Sequence, residues 1–340
     1  MHDAHSQFRD VMRGAGLEPP DAIEPGKLHR FPGIGKRNGN TAGWCKLFDD
    51  GLGGCFGDWS SGLSEHWQAQ RDRPVTSAEA EAFKRHVTET KDQAEAERKS
   101  KQAETAKKAA AIWESSKPAP GDHPYLRRKG IKASGARLHD DALVIPIRAG
   151  GEIHSLQFIE PNGEKRFLSG GRVTGCYFSI GNPKGAAALC IAEGFATGAS
   201  VHVATGYPVA VAFSAGNLGP VAKAMRERFP EIPLIICADD DAETEGNAGI
   251  TKATEAAGSV GGLLALPAFG TNRPAGVSDF NDMAALHGLE AVEEAIAGAS
   301  VPARRKHQPG KEHAPADSRQ RPGVAGTVVA SRGLAFCSSF

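Results

Sequence analysis

Neither sign of charge predominates in this sequence: Lys plus Arg number 40 and Asp plus Glu number 40, so the net charge is zero. That excludes a chain-wide basic field for nucleic acid, and any recognition by charge has to be local. Long apolar runs are also missing. None approaches the roughly 20 residues that span a bilayer. Met1-His-Asp-Ala-His-Ser6 lacks the basic-then-apolar pattern of a secretory leader. The expectation is a cytoplasmic protein with no membrane partner. The six cysteines are scattered and form no CxxC pair. Cys190 and Cys237 fall inside apolar runs, so they read as reduced core thiols and not as a disulfide framework. Cys45, Cys55, His29 and His66 could suggest zinc, but the Cys spacing is far wider than a zinc knuckle's, and zinc is not expected. Finally, there is no GxxxxGK[ST]; Gly33-Ile-Gly-Lys36 is too short to be one.

What is present is organised in blocks. At 340 residues the chain has room for about two domains of roughly 150 residues. Residues 1–75 form a Gly- and Trp-rich module, with strands expected over 44–48 and 55–59 around the turn Asp50-Gly-Leu-Gly-Gly54. Residues 76–117 are rich in Ala, Glu, Lys and Gln and begin with a capping box, Thr76-Ser-Ala-Glu79. Few apolar residues and no sustained heptad predict one long solvated helix that bridges two domains. Residues 118–185 read as a β-rich basic subdomain, a meander of strands over 143–148, 153–159, 164–168 and 175–180. It carries Arg127, Arg128, Lys129, Arg148, Lys165, Arg166 and Arg172, which are either ordinary sheet-face charge or a phosphate-facing surface. Residues 186–299 alternate strand and helix, which predicts a parallel sheet flanked by helices. Residues 300–340 are expected to be disordered.

Within the last folded block two apolar runs end in acid. Leu189-Cys-Ile-Ala192 leads into Glu193, and Leu234-Ile-Ile-Cys-Ala238 leads into Asp239, Asp240 and Asp241. Both read as buried strands. Ligands of open α/β sheets lie at the carboxyl ends of the strands. Gly194 suits a tight strand-to-helix turn after Glu193. Asp239 and Asp241 share a face if the strand conformation persists, and Asp240 points away. Asn247-Ala-Gly249 opens a helix whose free N–H groups can hold a phosphate. A third acidic loop, Ser278-Asp-Phe-Asn-Asp282, precedes another helix. Helix capping accounts for Asp282 easily, but it strains to cover three acidic loops at three strand ends. Carboxylates gathered there repel one another, and a hard divalent cation relieves that repulsion.

Glu193-Gly-Phe-Ala-Thr-Gly198, Asp239 with Asp241, and Asp279-Phe-Asn-Asp282 resemble the three acidic motifs of the Toprim fold, shared by primases, topoisomerases and some nucleases. With Ser214-Ala-Gly-Asn-Leu218, Gly163-Glu-Lys-Arg-Phe-Leu168 and the Gly43-Trp44 and Phe56-Gly-Asp-Trp59 segments, the chain resembles primases of conjugative plasmids and satellite phages over residues 25–70 and 120–298. The resemblance implies synthesis of short RNA primers from nucleoside triphosphates on single-stranded DNA. It implies Mg²⁺ or Mn²⁺ held by Glu193, Asp239 and Asp241, with Asp279 and Asp282 supporting a second metal or the triphosphate. Lys165 and Arg166, with Asn247 and Gly249, are then expected at nucleotide phosphates. Arg127, Arg128, Lys129, Arg148 and Arg172 are expected at DNA, and a separate replicative helicase is the expected partner. Two departures stand out: Thr197 occupies a position where many cellular primases have an acid, and their zinc-binding cysteines are absent. A metal-dependent Toprim nuclease needs the same carboxylates and remains an alternative, as does a non-catalytic DNA-binding accessory of a mobile element. Topoisomerase chemistry is not expected, since Tyr125, Tyr177 and Tyr207 are the three tyrosines and none lies in a separate strand-passing domain.

Overall fold

A computed structural model describes residues 4–36, 39–70 and 73–302; the expected tail lies, from 303 onward, outside the described residues. The chain divides into two units, the first ending at Ser100 and the second beginning at Lys101.

In the first unit, helix α1 (Ala4–Gly14) is followed by a four-stranded antiparallel sheet of β1 (His29–Phe31), β2 (Gly43–Leu47), β3 (Gly53–Asp58) and β4 (Leu63–Gln68), in that spatial order. The expected hairpin is β2–β3, in register with Cys45 opposite Phe56 and Lys46 opposite Cys55. Successive side chains of a strand alternate in face. Cys45 therefore packs with Phe8, Leu47, Phe56 and Trp67, whereas Cys55 packs with Trp44, Phe48 and Ala94 on the other face.

Helix α2 (Ser77–Ser115) is unbroken over 39 residues and opens with the expected capping box: Glu79 N–H donates to Thr76 Oγ1, and Thr76 N–H donates to Glu79. It is not the solvated bridge that its composition suggests. In the first unit Phe83, Val87 and Ala94 pack with Trp44, Phe48 and Cys55. In the second unit Ala109, Ile112 and Trp113 pack with Ala142, Val144, Leu156 and Phe158. The packing stripe runs Phe83, Val87, Thr90, Ala94, Thr105, Ala109, Ile112, at helical spacing, with Phe83, Val87 and Ile112 partly buried. Its small and hydroxyl-bearing members, Thr90, Ala94, Thr105 and Ala109, are at most 2% exposed, so low hydropathy concealed a packing face.

The second unit holds two five-stranded sheets. The first is antiparallel, in the order β5 (Lys117–Pro118), β6 (Arg137–His139), β7 (Ala142–Ala149), β8 (Glu152–Ile159), β9 (Lys165–Phe167), with α3 (Pro124–Lys129) inserted after β5. The second has the order β10 (Phe178–Ile180), β12 (Val209–Val211), β11 (Leu189–Ala192), β13 (Leu234–Cys237), β14 (Leu263–Ala265). Its β12, β11, β13 and β14 are parallel, as expected from the alternating pattern. The expected strand over 175–180 touches both sheets: Tyr177 bridges antiparallel to Arg148 of β7, and β10 then pairs antiparallel with β12 at the edge of the parallel sheet. Helices α4 (Phe195–Thr205), α5 (Ala215–Arg228), α6 (Ala248–Val260), α7 (Phe280–His287) and α8 (Leu289–Ala297) complete it.

One apolar cluster runs through both sheets, joining Leu143, Ile145, Ile147 and Ile159 to Cys190, Ala192, Phe195, Val211 and Phe280. A Cβ on Gly198 would lie 2.8 Å from Val211 Cγ2, so glycine there permits the close seating of α4 on β12. Among the described residues no helix is long and apolar enough to cross a membrane.

The packing face of α2 is tested by Ala109→Asp. A carboxylate placed among Val144, Leu156 and Phe158 costs about 3 kcal/mol or more. The expected result is a thermal midpoint lower by several degrees; an unchanged midpoint would remove α2 from the core of the second unit.

A candidate active-site cleft at the strand ends

The acids arrive at the cleft by a short backbone route. Strand β11 ends at Ala192, and Glu193 and Gly194 turn the chain into α4, with Gly194 as the N-cap residue. Glu193 accepts a backbone hydrogen bond from Ala215 at the start of α5, and its carbonyl accepts one from Phe213 at 2.7 Å. Beyond β13, Asp239 enters the cleft. Asp279 caps α7, with Oδ1 accepting from the N–H groups of Asn281 and Asp282 at 2.7 and 2.9 Å. Its Oδ2 accepts from the Thr197 hydroxyl at 3.0 Å. The lining is Glu193, Gly194, Ala196, Thr197, Asp239 and Asp279 from the parallel sheet, faced by Tyr125, Lys129, Gln157 and Lys165 from α3 and the antiparallel sheet, with Phe213.

The electrostatics follow from this gathering. Burial, then the charges of Glu193, Asp279 and Asp241, push the Asp239 carboxyl up to about 8, with Lys165 opposing. Glu193 is also raised, chiefly by burial, with Asp241 and Asp279 adding to it and the Ala215 N–H and Lys165 opposing. Asp239 Oδ1 is buried without a hydrogen-bond partner. A polar atom in that condition is costly unless something else satisfies it.

The remaining expected residues divide by what already holds them. Asp240 does point away: it accepts from Asn247 Nδ2 at 2.6 Å and pairs with Arg273. Asn247 has its amide committed to the same loop, its oxygen accepting from the N–H groups of Asp241 and Ile250. Its side chain acts here as a latch on that loop. Gly249 is dictated by space: a Cβ there would overlap the Asp239 carbonyl and lie 3.1 Å from Asp241 Oδ2. Asp282 accepts from the Ser278 N–H and pairs with Lys129 Nζ at 3.2 Å, so it ties α7 to α3. Lys165 reaches the cleft, but Arg166 does not. Arg166 lies over the Phe158 ring at 4.1 Å and pairs with Glu160 at 3.4 Å. Neighbours on a strand face opposite sides, so both cations could not serve one site.

Of the cations expected at DNA, Lys129 lines the cleft, while Arg127, Arg128 and Arg172 are exposed on the surface. Arg128 donates to the Pro161 carbonyl and Arg172 to that of Thr174. Arg148 sits 5.6 Å from the Trp113 ring and donates to Gly151 O. Three cleft residues escaped sequence reasoning: Tyr125, Gln157 and Phe213. A signal for Gln157 existed, because β8–β9 pairing sets it opposite Phe167, two residue pairs from Ile159 opposite Lys165 and so on the same face. Phe213 carries φ +70°, a left-handed conformation that is strained for an aromatic residue.

Compared with known families, residues 188–290 match the Toprim domain. They form a Toprim domain. Its matched segment contains all three acidic loops of the cleft, and it begins one residue before β11. Two curated Escherichia coli proteins, each described as DNA primase TraC, are similar over more of the chain. One is 32% identical over 286 residues and the other 33% over 285, each alignment covering 77% of this chain. The chain spans only 26% and 19% of their lengths. Among solved structures, the zinc-binding and RNA polymerase domains of the Aquifex aeolicus primase align at 11% identity with a TM-score of 0.39, covering 88% of this chain and 86% of that one. In the Toprim domain and the rest of the described residues, no group of three or more His, Cys, Asp and Glu side chains is arranged to hold a metal ion by itself.

The raised Asp239 makes stability depend on pH. The folded state keeps a proton that the unfolded chain releases near pH 4, so stability falls as pH rises from about 4 towards 8. In metal-free buffer Asp239→Asn should therefore melt higher than wild type at pH 8.5, by roughly 4 °C or more, and at a similar temperature at pH 4. An equal difference at both pH values would show that the carboxylate is not strained by its neighbours. Gly249→Ala, by contrast, should lower the midpoint at every pH.

Proposed function

We propose that this chain synthesises short RNA primers from nucleoside triphosphates on single-stranded DNA, as a nucleotidyltransferase of a plasmid or phage. The similarity to DNA primases named TraC supports the reading. The observation that carries it is the cleft itself, in which Glu193, Asp239 and Asp279 from three loops face Lys165.

A divalent cation belongs to the same proposal. The donor set is all oxygen, and the orphaned Asp239 Oδ1 offers an unsatisfied acceptor, so the residues present fit Mg²⁺ or Mn²⁺. Glu193, Asp239 and Asp241 would hold it, with Asp279 beside them. Mg²⁺ usually takes one or two carboxylates together with substrate phosphates and water. When bound, such an ion supplies Lewis-acid polarisation of a phosphoryl oxygen and lowers the pKa of a coordinated hydroxyl.

The chain's own residues then have distinct tasks. Lys165 places a positive charge against the triphosphate, where negative charge develops during transfer. Thr197 keeps Asp279 aimed into the cleft through its hydroxyl, a positioning role in place of an acid. The Ala215 N–H orients Glu193, whose carboxyl is raised chiefly by burial and lines the cleft, where it can accept a proton from an attacking hydroxyl. Arg127, Arg128 and Arg172 offer exposed cations to a template backbone, which carries affinity without sequence preference. A cytoplasmic setting and a separate replicative helicase as partner complete the reading.

Supplied with single-stranded DNA, four ribonucleoside triphosphates and Mg²⁺, wild-type protein should yield short labelled oligomers. Glu193→Gln should yield at least about a hundredfold fewer while melting as a folded protein. Metal-dependent shortening of the template, without oligomers, would replace this reading with the nuclease. Separately, millimolar Mg²⁺ should raise the melting temperature of wild type at pH 8 and leave that of Asp239→Asn nearly unmoved.

A further inference from the structure

The cleft contains two kinds of polar group. The charged ones have evident counterparts: Lys129 pairs with Asp282, and Lys165 faces the acids. Two neutral ones remain unused. Tyr125 is 2% exposed, and its hydroxyl is buried with no hydrogen-bond partner. Gln157 is 4% exposed and lies on the cleft face of β8. Both come from the antiparallel side and stand opposite the acidic loops. Neither belongs to an acidic motif. The hydroxyl stays protonated at any working pH, because burial and the nearby Asp279 push its pKa up to about 12.

A buried Tyr hydroxyl without a partner costs about 1–3 kcal/mol if nothing answers it. A phosphate oxygen is only an acceptor and is already served by a cation. A sugar hydroxyl is both donor and acceptor, and this pair can meet both needs: Tyr O–H donates, and the Gln carbonyl accepts. The exposed Phe167 ring packs edge-on to Phe213, with centroids 6.3 Å apart at the cleft, which sets an apolar surface beside the two polar groups. Such a wall suits the remaining, less polar part of a nucleoside.

We propose that Tyr125 and Gln157 receive the ribose 2′-hydroxyl of the incoming nucleotide and so select ribonucleotides over deoxyribonucleotides. This rests on the nucleotidyl-transfer reading above and deepens it. The two residues determine specificity and take no part in the chemical step. A deoxynucleotide in the same place leaves the Tyr125 hydroxyl unanswered, and that is the source of discrimination.

The test is binding, which does not depend on primer synthesis. The 340-residue chain is titrated by calorimetry with GTP and with dGTP in Mg²⁺. Wild type should prefer GTP by about tenfold or more, and Tyr125→Phe should reduce the preference to below about threefold, mainly by losing affinity for GTP. Gln157→Leu should act in the same direction, and melting curves verify that both variants are folded. Equal affinity of wild type for the two nucleotides, or an unchanged preference in folded Tyr125→Phe, overturns this inference and leaves primer synthesis standing. Binding of neither nucleotide overturns both readings together.

Discussion

Repulsion among carboxylates is the constraint on which this structure turns. Glu193 and Asp239 follow two strands and Asp279 caps a helix, yet the fold brings them to one half-buried cleft, where Lys165 opposes the charge on Glu193 and Asp239. A carboxyl pushed from 3.8 to about 8 is destabilised, when ionised, by a few kcal/mol. A fold selected for stability alone would place a hydrogen-bond donor against Asp239 Oδ1. Leaving that atom unpartnered is a local cost that the surrounding core has to offset, and the apolar cluster running through both sheets of the second unit is what can do so.

The rest of the machinery keeps those acids in place against their own repulsion. Asp240 is turned outward onto Arg273 and Asn247, so the three-aspartate run does not load a third charge onto the same face. Asn217, 4% exposed, ties the backbone of Val173, Gly175, Cys176 and Ala212 together with its one amide and fixes the turn that presents Phe213 and the Ala215 N–H. Lys129 holds α7 through both its ammonium on Asp282 and its carbonyl, which accepts from Asn281. The short helix α3 therefore acts as a brace for the third acidic loop, although the two lie more than 150 positions apart in sequence.

Much of this was legible in the sequence, for a physical reason. Buried parallel strands must be short and continuously apolar, and ligands gather at their carboxyl ends, so the acids after Ala192 and Ala238 announced themselves. What stayed hidden depended on pairing between distant segments. The face of Lys165, and with it the exclusion of Arg166, is fixed by β8–β9 register. The placement of β10 with β12 is a tertiary choice between two sheets that both accept an antiparallel edge. Tyr125 and Gln157 look like ordinary core residues until the cleft above them is built. The packing of α2 was missed because threonine and alanine were carrying a buried stripe that hydropathy scores as polar or neutral.

Asp279 shows how a capping acid and a functional acid are told apart, and why one residue can be both. A capping carboxylate is satisfied by helix N–H groups, and Asp279 Oδ1 meets that description, while Asp282 is held by the Ser278 N–H ahead of the helix and by Lys129. An acid kept for a ligand has capacity left over. Asp279 Oδ2 is answered only by the Thr197 hydroxyl, which can rotate away at little cost, unlike the fixed N–H groups on Oδ1. One oxygen therefore anchors the side chain while the other stays available to the cleft. Thr197 fits the same logic. A fourth carboxylate so close to Asp279 would add repulsion, whereas a neutral hydroxyl removes charge from the cleft and steadies the acid that remains.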